Sequence, residues 1–141
     1  MESKHRLFVY GSLRSGFQHE AYKYLTAHFT FLGEGKVRGK LYYNGSIPVA
    51  KPTDEPVYLI GELYELNHPD DYSWVFSQLD DYEGLNTMPG EQPAYRREPV
   101  RVDLPDRTLI SWIYWYNDSV EGMEPIASGD LYAFIKSLPK P

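Results

Sequence analysis

Between Phe29 and Tyr43 the chain is rich in strand formers, yet Gly33, Gly35 and Gly39 interrupt it at short intervals. Glycine inside a strand marks a bulge, a sharp bend or a close backbone approach. A small curved or closed sheet would use such kinks, and the other periodic segments have to fit around it. His5 to Tyr10 is a compact apolar run closed by Gly11 and Ser12 and reads as a short buried first strand. From Gln18 the spacing turns helical, with Ala21, Tyr24, Leu25 and His28 at i, i+3, i+4 and i+7. Asn44-Gly45 is a turn signal, and Pro48, Pro52 and Pro56 make the segment up to residue 56 an expected exposed loop.

Val57 to Leu66 resumes as strand, with Val57, Leu59 and Leu63 on one face and Tyr58, Ile60 and Tyr64 on the other. A second helix is expected to begin near Asn67 to Asp70, where Asn and Asp can cap and Pro69 suits a first turn. Its buried stripe would be Tyr72, Val75, Phe76 and Leu79, and Gly84 would end it. Residues 86–94 read as a loop, followed by a half-exposed strand in which Val100, Val102 and Leu104 alternate with Arg101 and Asp103. Thr108 to Tyr116 sets Ile110, Trp112, Tyr114 and Tyr116 against Ile113 and Trp115, aromatic enough for a central strand. After another loop at 117–126, Ser128 can cap a final helix with Leu131, Phe134, Ile135 and Leu138 on one stripe. This order lacks the regular alternation of a doubly wound sheet, so the expectation is an α+β fold around a small mixed, partly closed sheet.

With 141 residues the chain suits one domain, residues 1–141. Its 42% hydrophobic and 24% charged content is that of a soluble globular protein. No run approaches the roughly 20 apolar residues of a membrane helix, and the start, Met-Glu-Ser-Lys-His-Arg, lacks a secretory apolar region, so no membrane partner and a cytoplasmic location are expected. Cysteine is absent, which removes disulfides, thiolate nucleophiles and the commonest structural zinc sites. A net charge of −6 opposes binding to nucleic acid. Thirteen of the residues are tyrosine, which can line an apolar pocket that still hydrogen-bonds or can simply pack between layers.

Dinucleotide-binding, P-loop, HExxH and GxSxG patterns are all missing, and His5, His19, His28 and His68 form no chelating pair, so no metal or cofactor is expected. Arg96, Arg97, Arg101 and Arg107 read as a solvated outer face balanced by Glu98 and Asp103. Two segments carry possible chemistry. Tyr10-Gly11-Ser12-Leu13-Arg14 links the first strand to a helix, and its amides could form a nest for a carboxylate or an oxyanion, although a plain turn needs the same small residues. In Leu79-Asp80-Asp81-Tyr82-Glu83-Gly84, Glu83 follows Tyr72 by eleven residues and so returns to within roughly 20° of the core-facing direction. Asp81 then faces water. An inward carboxyl at a helix C-terminus would have a raised pKa from burial and from the backbone dipole, as a proton carrier needs. If the helix instead frays at Tyr82, Glu83 merely reaches solvent; the pattern alone fits both.

Taken in order, these segments resemble the γ-glutamylcyclotransferase-like family, which includes the AIG2-like proteins and γ-glutamylamine cyclotransferases. The resemblance spans nearly the whole chain: Phe8 to Arg14, Gly39 to Tyr42, Gly61 to Tyr64, Leu79 to Gly84, Tyr95 to Arg97, Tyr114 to Tyr116 and Ser128 to Asp130. It implies a small mixed β-barrel with flanking helices. It also implies that Glu83 is the catalytic acid/base and that Tyr10, Gly11, Ser12 and Leu13 hold the γ-glutamyl group, with Tyr95 and Tyr116 as further pocket members. The implied substrate is a small γ-glutamyl amine or peptide, cyclised to 5-oxoproline with release of an amine. A binding domain that keeps the pocket without the chemistry is the alternative. Ser46-Ile47-Pro48 stands where many relatives carry an aromatic residue before the proline, which leaves one pocket wall and the leaving group open.

Overall fold

The computed structural model describes residues 5–10, 20–43, 48–83, 85, 90 and 92–137. Its elements run β1 (Arg6–Val9), α1 (Glu20–His28), β2 (Phe29–Arg38), β3 (Lys40–Tyr43), β4 (Pro48–Lys51), β5 (Tyr58–Leu66), α2 (Tyr72–Tyr82), β6 (Tyr95–Asp103), β7 (Thr108–Tyr116), β8 (Glu124–Ile126) and α3 (Leu131–Ser137). Strands β1, β5, β2, β6 and β7 close into a barrel in that order, so the sheet is fully closed. Every neighbouring pair is antiparallel except the closing one, where β1 meets β7 in parallel at Leu7 and Trp112.

Of the glycines that announced curvature, Gly35 lies where a Cβ would meet the Val102 side chain at 2.8 Å and the Asp103 carbonyl oxygen at 3.2 Å. Gly35 and Gly61 face each other across β2 and β5. A Cβ on Gly61 would lie 2.3 Å from the Val9 carbonyl oxygen and 2.6 Å from the Phe8 ring. Only glycine lets β5 pass so close to β1. A register shift between Phe31 and Gly33 bends β2 as it wraps round, and Gly39 separates β2 from β3.

Alternation then sorts side chains into two cores. Phe8, Val37, Leu59, Leu63, Val102, Ile113 and Trp115 fill one buried cluster, which continues into Leu41, Ala50, Ile126 and Leu131. The opposite faces of the same strands give Leu7, Val9, Tyr64 and Tyr114, which pack with Leu25 of α1 and Val75, Phe76 and Leu79 of α2. Both faces of β1, β5 and β7 are therefore covered.

Several sequence expectations need correction. The loop expected up to residue 56 contains β4, and the loop expected at 117–126 contains β8; with β3 between them they form a second sheet in the order β4-β3-β8. Both are edge strands of three or four residues, where Pro48 and Pro125 are tolerated because an edge does not need every N–H. The second helix begins later than expected. Pro69–Asp71 is a 3-10 turn, the N-cap Asp71 makes no side-chain cap bond, and Asn67 hydrogen-bonds Thr30 of β2 instead. Ser128 accepts the Asp130 N–H at 3.2 Å in a turn ahead of α3 rather than at its N-cap. On α3, Leu131 is buried but Ile135 is 39% exposed, so that stripe is narrower than the spacing suggested. Asn44, Gly45, Gly84 and Leu138 lie outside the described residues.

Candidate active site

The site forms where the ends of β1, β6 and β7 meet the end of α2. Tyr10, one residue past β1, is buried, and its hydroxyl donates to the Tyr114 carbonyl oxygen at 2.6 Å. This bond pins the exit of β1 to its parallel neighbour. Burial raises the phenol's pKa, and the nearby Glu83 and Tyr95 raise it further, against an Ala50 backbone hydrogen bond from β4. Gly11, Ser12 and Leu13, expected to hold the γ-glutamyl group, follow directly in the chain and lie outside the described residues.

Glu83 is the C-cap of α2. Its N–H donates to the Leu79 carbonyl at 2.9 Å, and the Leu85 N–H closes the turn on the Asp80 carbonyl at 2.9 Å, a bond that satisfies a helix-end carbonyl and fixes the chain's exit. The Glu83 carboxyl is half-buried and accepts no hydrogen bond among the described residues. Burial pushes its pKa up to about 7, with the negative charge of Asp80 adding to the rise. Of the two placements the sequence allowed, the inward one is found. The second cause is a neighbouring carboxylate, where the sequence had suggested the helix dipole.

Tyr95 and Tyr116 stand opposite each other in the β6–β7 register with ring centroids 5.4 Å apart in an edge-to-face arrangement. The Tyr95 phenol has a strongly raised pKa, from burial first and then from the charge of Glu83. Lys51 at the end of β4 places its ammonium 5.7 Å from the centre of the Tyr116 ring. Tyr10, Glu83 and Tyr95 thus share one electrostatic environment, with Tyr116 and Lys51 next to it.

Sequence reasoning missed the support behind this group. Arg97 is no part of a solvated face: it forks onto Asp80 with Nε–Oδ1 2.8 Å and Nη2–Oδ2 3.0 Å, and both side chains are 17% exposed. Its guanidinium lies over the rings of Phe76 and Trp112, 4.9 and 4.5 Å from their centres, and reaches the Tyr72 hydroxyl at 3.3 Å. Burial works against that cation, but the hydrogen bonds to Asp80 and Tyr72 and the charge of Asp80 more than offset it. Tyr114 donates to the same Asp80 oxygen at 2.8 Å. The balance expected for Arg96 and Arg101 holds, with Glu98 and Asp103 at 3.1 and 3.2 Å. Asp80 could have been noticed as an i, i+3 neighbour of Glu83 on one helix. Arg97 gave no local signal, because its partner lies 17 residues away on another element.

Among the described residues no group of three or more His, Asp or Glu could hold a metal ion, and no helix is long and apolar enough to cross a membrane. What the site offers is one carboxyl that can exchange a proton near neutral pH, surrounded by phenols, beside a second carboxyl held by an arginine.

Residues 7–133 match the family described as gamma-glutamyl cyclotransferase, AIG2-like, and the chain belongs to it. The Methanocaldococcus jannaschii protein MJ1514 is 31% identical over 116 residues, covering 80% of this chain and 85% of its own. The gamma-glutamylcyclotransferase family protein YtfP of Escherichia coli K12 is 29% identical over 126 residues, covering 89% and 94%. The solution structure of ytfP from Escherichia coli superposes on 89% of this chain and 95% of its own, with 25% identity and a TM-score of 0.63. YkqA of Bacillus subtilis gives a TM-score of 0.69 at 25% identity over 95% of this chain, which there corresponds to 43% of a longer protein.

Proposed function

We propose that this protein is a cytoplasmic enzyme that cyclises a γ-glutamyl amine or peptide, releasing 5-oxoproline and a free amine, with Glu83 as the general acid/base. The observation that carries this reading is the half-buried Glu83 carboxyl, its proton affinity near neutrality, facing the residue that opens the Tyr10–Leu13 segment.

In such a substrate the α-amine attacks the γ-carbonyl carbon of the same molecule. A C–N bond closes the five-membered ring, the original γ-amide C–N bond breaks, and the departing nitrogen takes up a proton. The nucleophile comes from the substrate, so the chain needs no cysteine or activated serine. Ring closure in a well-oriented intramolecular reaction reaches effective molarities on the order of 10⁵ M or more. The protein's share is to fold the substrate and to move protons. Ionised Glu83 takes a proton from the α-ammonium and returns it to the leaving nitrogen. A pKa near 7 suits both halves of that cycle. Amides of Gly11 to Leu13 hold the α-carboxylate or the developing oxyanion, and Tyr10, Tyr95 and Tyr116 line the pocket.

The test is 5-oxoproline release from a panel of γ-glutamyl amines and dipeptides by wild type and Glu83→Gln. The substitution is expected to lower kcat/KM by about 10² to 10⁴. Equal turnover by both proteins would remove Glu83 from the mechanism. Ligand-induced thermal stabilisation without product from any panel member would favour a binding domain instead.

A further inference from the structure

Asp80 and Glu83 leave the same helix end three residues apart, about 5 to 6 Å between Cβ atoms, and the structure treats them in opposite ways. Asp80 has its needs met in full, with two N–H groups of Arg97 and the Tyr114 hydroxyl on its oxygens. Glu83 has no hydrogen-bond donor among the described residues. Two carboxylates this close resist ionising together, and the one that lacks a cation is the one that keeps the proton. Arg97 makes that choice for them. Its guanidinium lies over the rings of Phe76 and Trp112 and reaches the Tyr72 hydroxyl, while its Nε and Nη2 fork is taken up by Asp80.

We propose that Asp80 and Arg97 are positioning residues of this site: a charge pair bridging α2 and β6 that fixes the end of α2 and governs how readily Glu83 takes up a proton. Asp80 acts through space as the charge that favours protonated Glu83, and Arg97 acts as its counterweight. The pair also has a mechanical part, since the Asp80 carbonyl holds the turn that carries Glu83 while its side chain is tied to β6 and β7. Among the described residues, the other groups that face Glu83 are Tyr10 at the end of β1, Tyr95 on β6 and Tyr114 on β7, with Tyr82, Tyr116 and Lys51 beyond Tyr95. None of these is a cation within hydrogen-bond reach of Glu83.

This inference rests on the proposed function for its biological meaning, but its test needs no turnover. The Glu83 carboxyl is titrated by ¹³C NMR in wild type, Asp80→Asn and Arg97→Met, with Arg97→Lys as the variant that keeps the charge and loses the fork. Asp80→Asn removes a like charge and leaves the cation, so the proton affinity of Glu83 should fall about tenfold. Arg97→Met leaves Asp80 uncompensated, so the two carboxyls titrate as a coupled pair and the upper step should rise by a similar factor. Arg97→Lys should stay near wild type. A merely structural role would move all variants the same way or none. Opposite shifts support the pair; like shifts, or no shift in Asp80→Asn, overturn it. If Arg97→Met does not fold, a lowered midpoint in Asp80→Asn with Arg97→Lys unmoved supports the pair, and any other result overturns it. Missing 5-oxoproline would count against the reaction and leave the pair standing.

Discussion

A carboxylic acid that prefers its proton when folded leaves a trace in stability as well as in chemistry. Glu83 binds a proton in the native state up to about pH 7, but in the unfolded chain only up to its ordinary value of 4.5. Between those limits the native state holds more protons than the unfolded state, so stability falls as pH rises through the window and levels off above it. The cost in the ionised form is at most about 3 kcal/mol by linkage. Glu83→Gln keeps the shape and removes the titration. Its stability relative to wild type, from urea unfolding at pH 5 and pH 8, should therefore be higher at pH 8 by about 1 to 3 kcal/mol. A difference that does not change with pH would mean that Glu83 titrates as an ordinary surface acid. The position of this residue was legible because helix geometry returns it to the face of Tyr72 and Leu79. The reason for its proton affinity was only half legible, because a charge held by Arg97 from another strand is invisible to any local pattern.

Among the elements, the apolar periodicity located α2, β5 and β7 closely, since each buries a continuous stripe or both faces. What it overlooked were β4 and β8. Each is too short to show a period and carries a proline, and each exists because β3 offers it a partner far along the chain. That omission matters for the site: β4 is what brings Ala50 to the Tyr10 hydroxyl and Lys51 to Tyr116. The glycine signal was sounder at Gly35, where a Cβ would meet the Val102 side chain at 2.8 Å, but the pattern did not single out Gly61, which is enclosed more tightly still. At Gly61 the new methyl group of an alanine would meet the Val9 carbonyl oxygen at 2.3 Å, backbone that cannot swing aside as a side chain can. Gly61→Ala should cost about 3 kcal/mol or more in chemical denaturation. Because β1 carries Tyr10 at its end, the loss should be accompanied by weaker activity even where the protein remains folded. Wild-type stability in this variant would show that β1 and β5 have room the geometry denies them.

At the scale of the whole molecule, the barrel turns one small set of strands into two jobs. Its inward faces fill a core, and its outward faces support α1 and α2, so the end of α2 is delivered against the ends of β1, β6 and β7. Closure through the β1–β7 pair brings Tyr10 beside Tyr114, and Tyr114 in turn reaches Asp80. The sequence could suggest a curved or closed sheet from its glycines, but not which strand would close it, since that contact joins residues 105 positions apart at Leu7 and Trp112. Whether Glu83 is the group that moves the proton is read most directly from the pH dependence of kcat/KM for 5-oxoproline release. Wild-type activity is expected to rise with a single ionisation near pH 7, and that limb is expected to disappear from the residual activity of Glu83→Gln. A profile that is flat from pH 5 to 8, or a limb that survives the substitution, would contradict that role of Glu83.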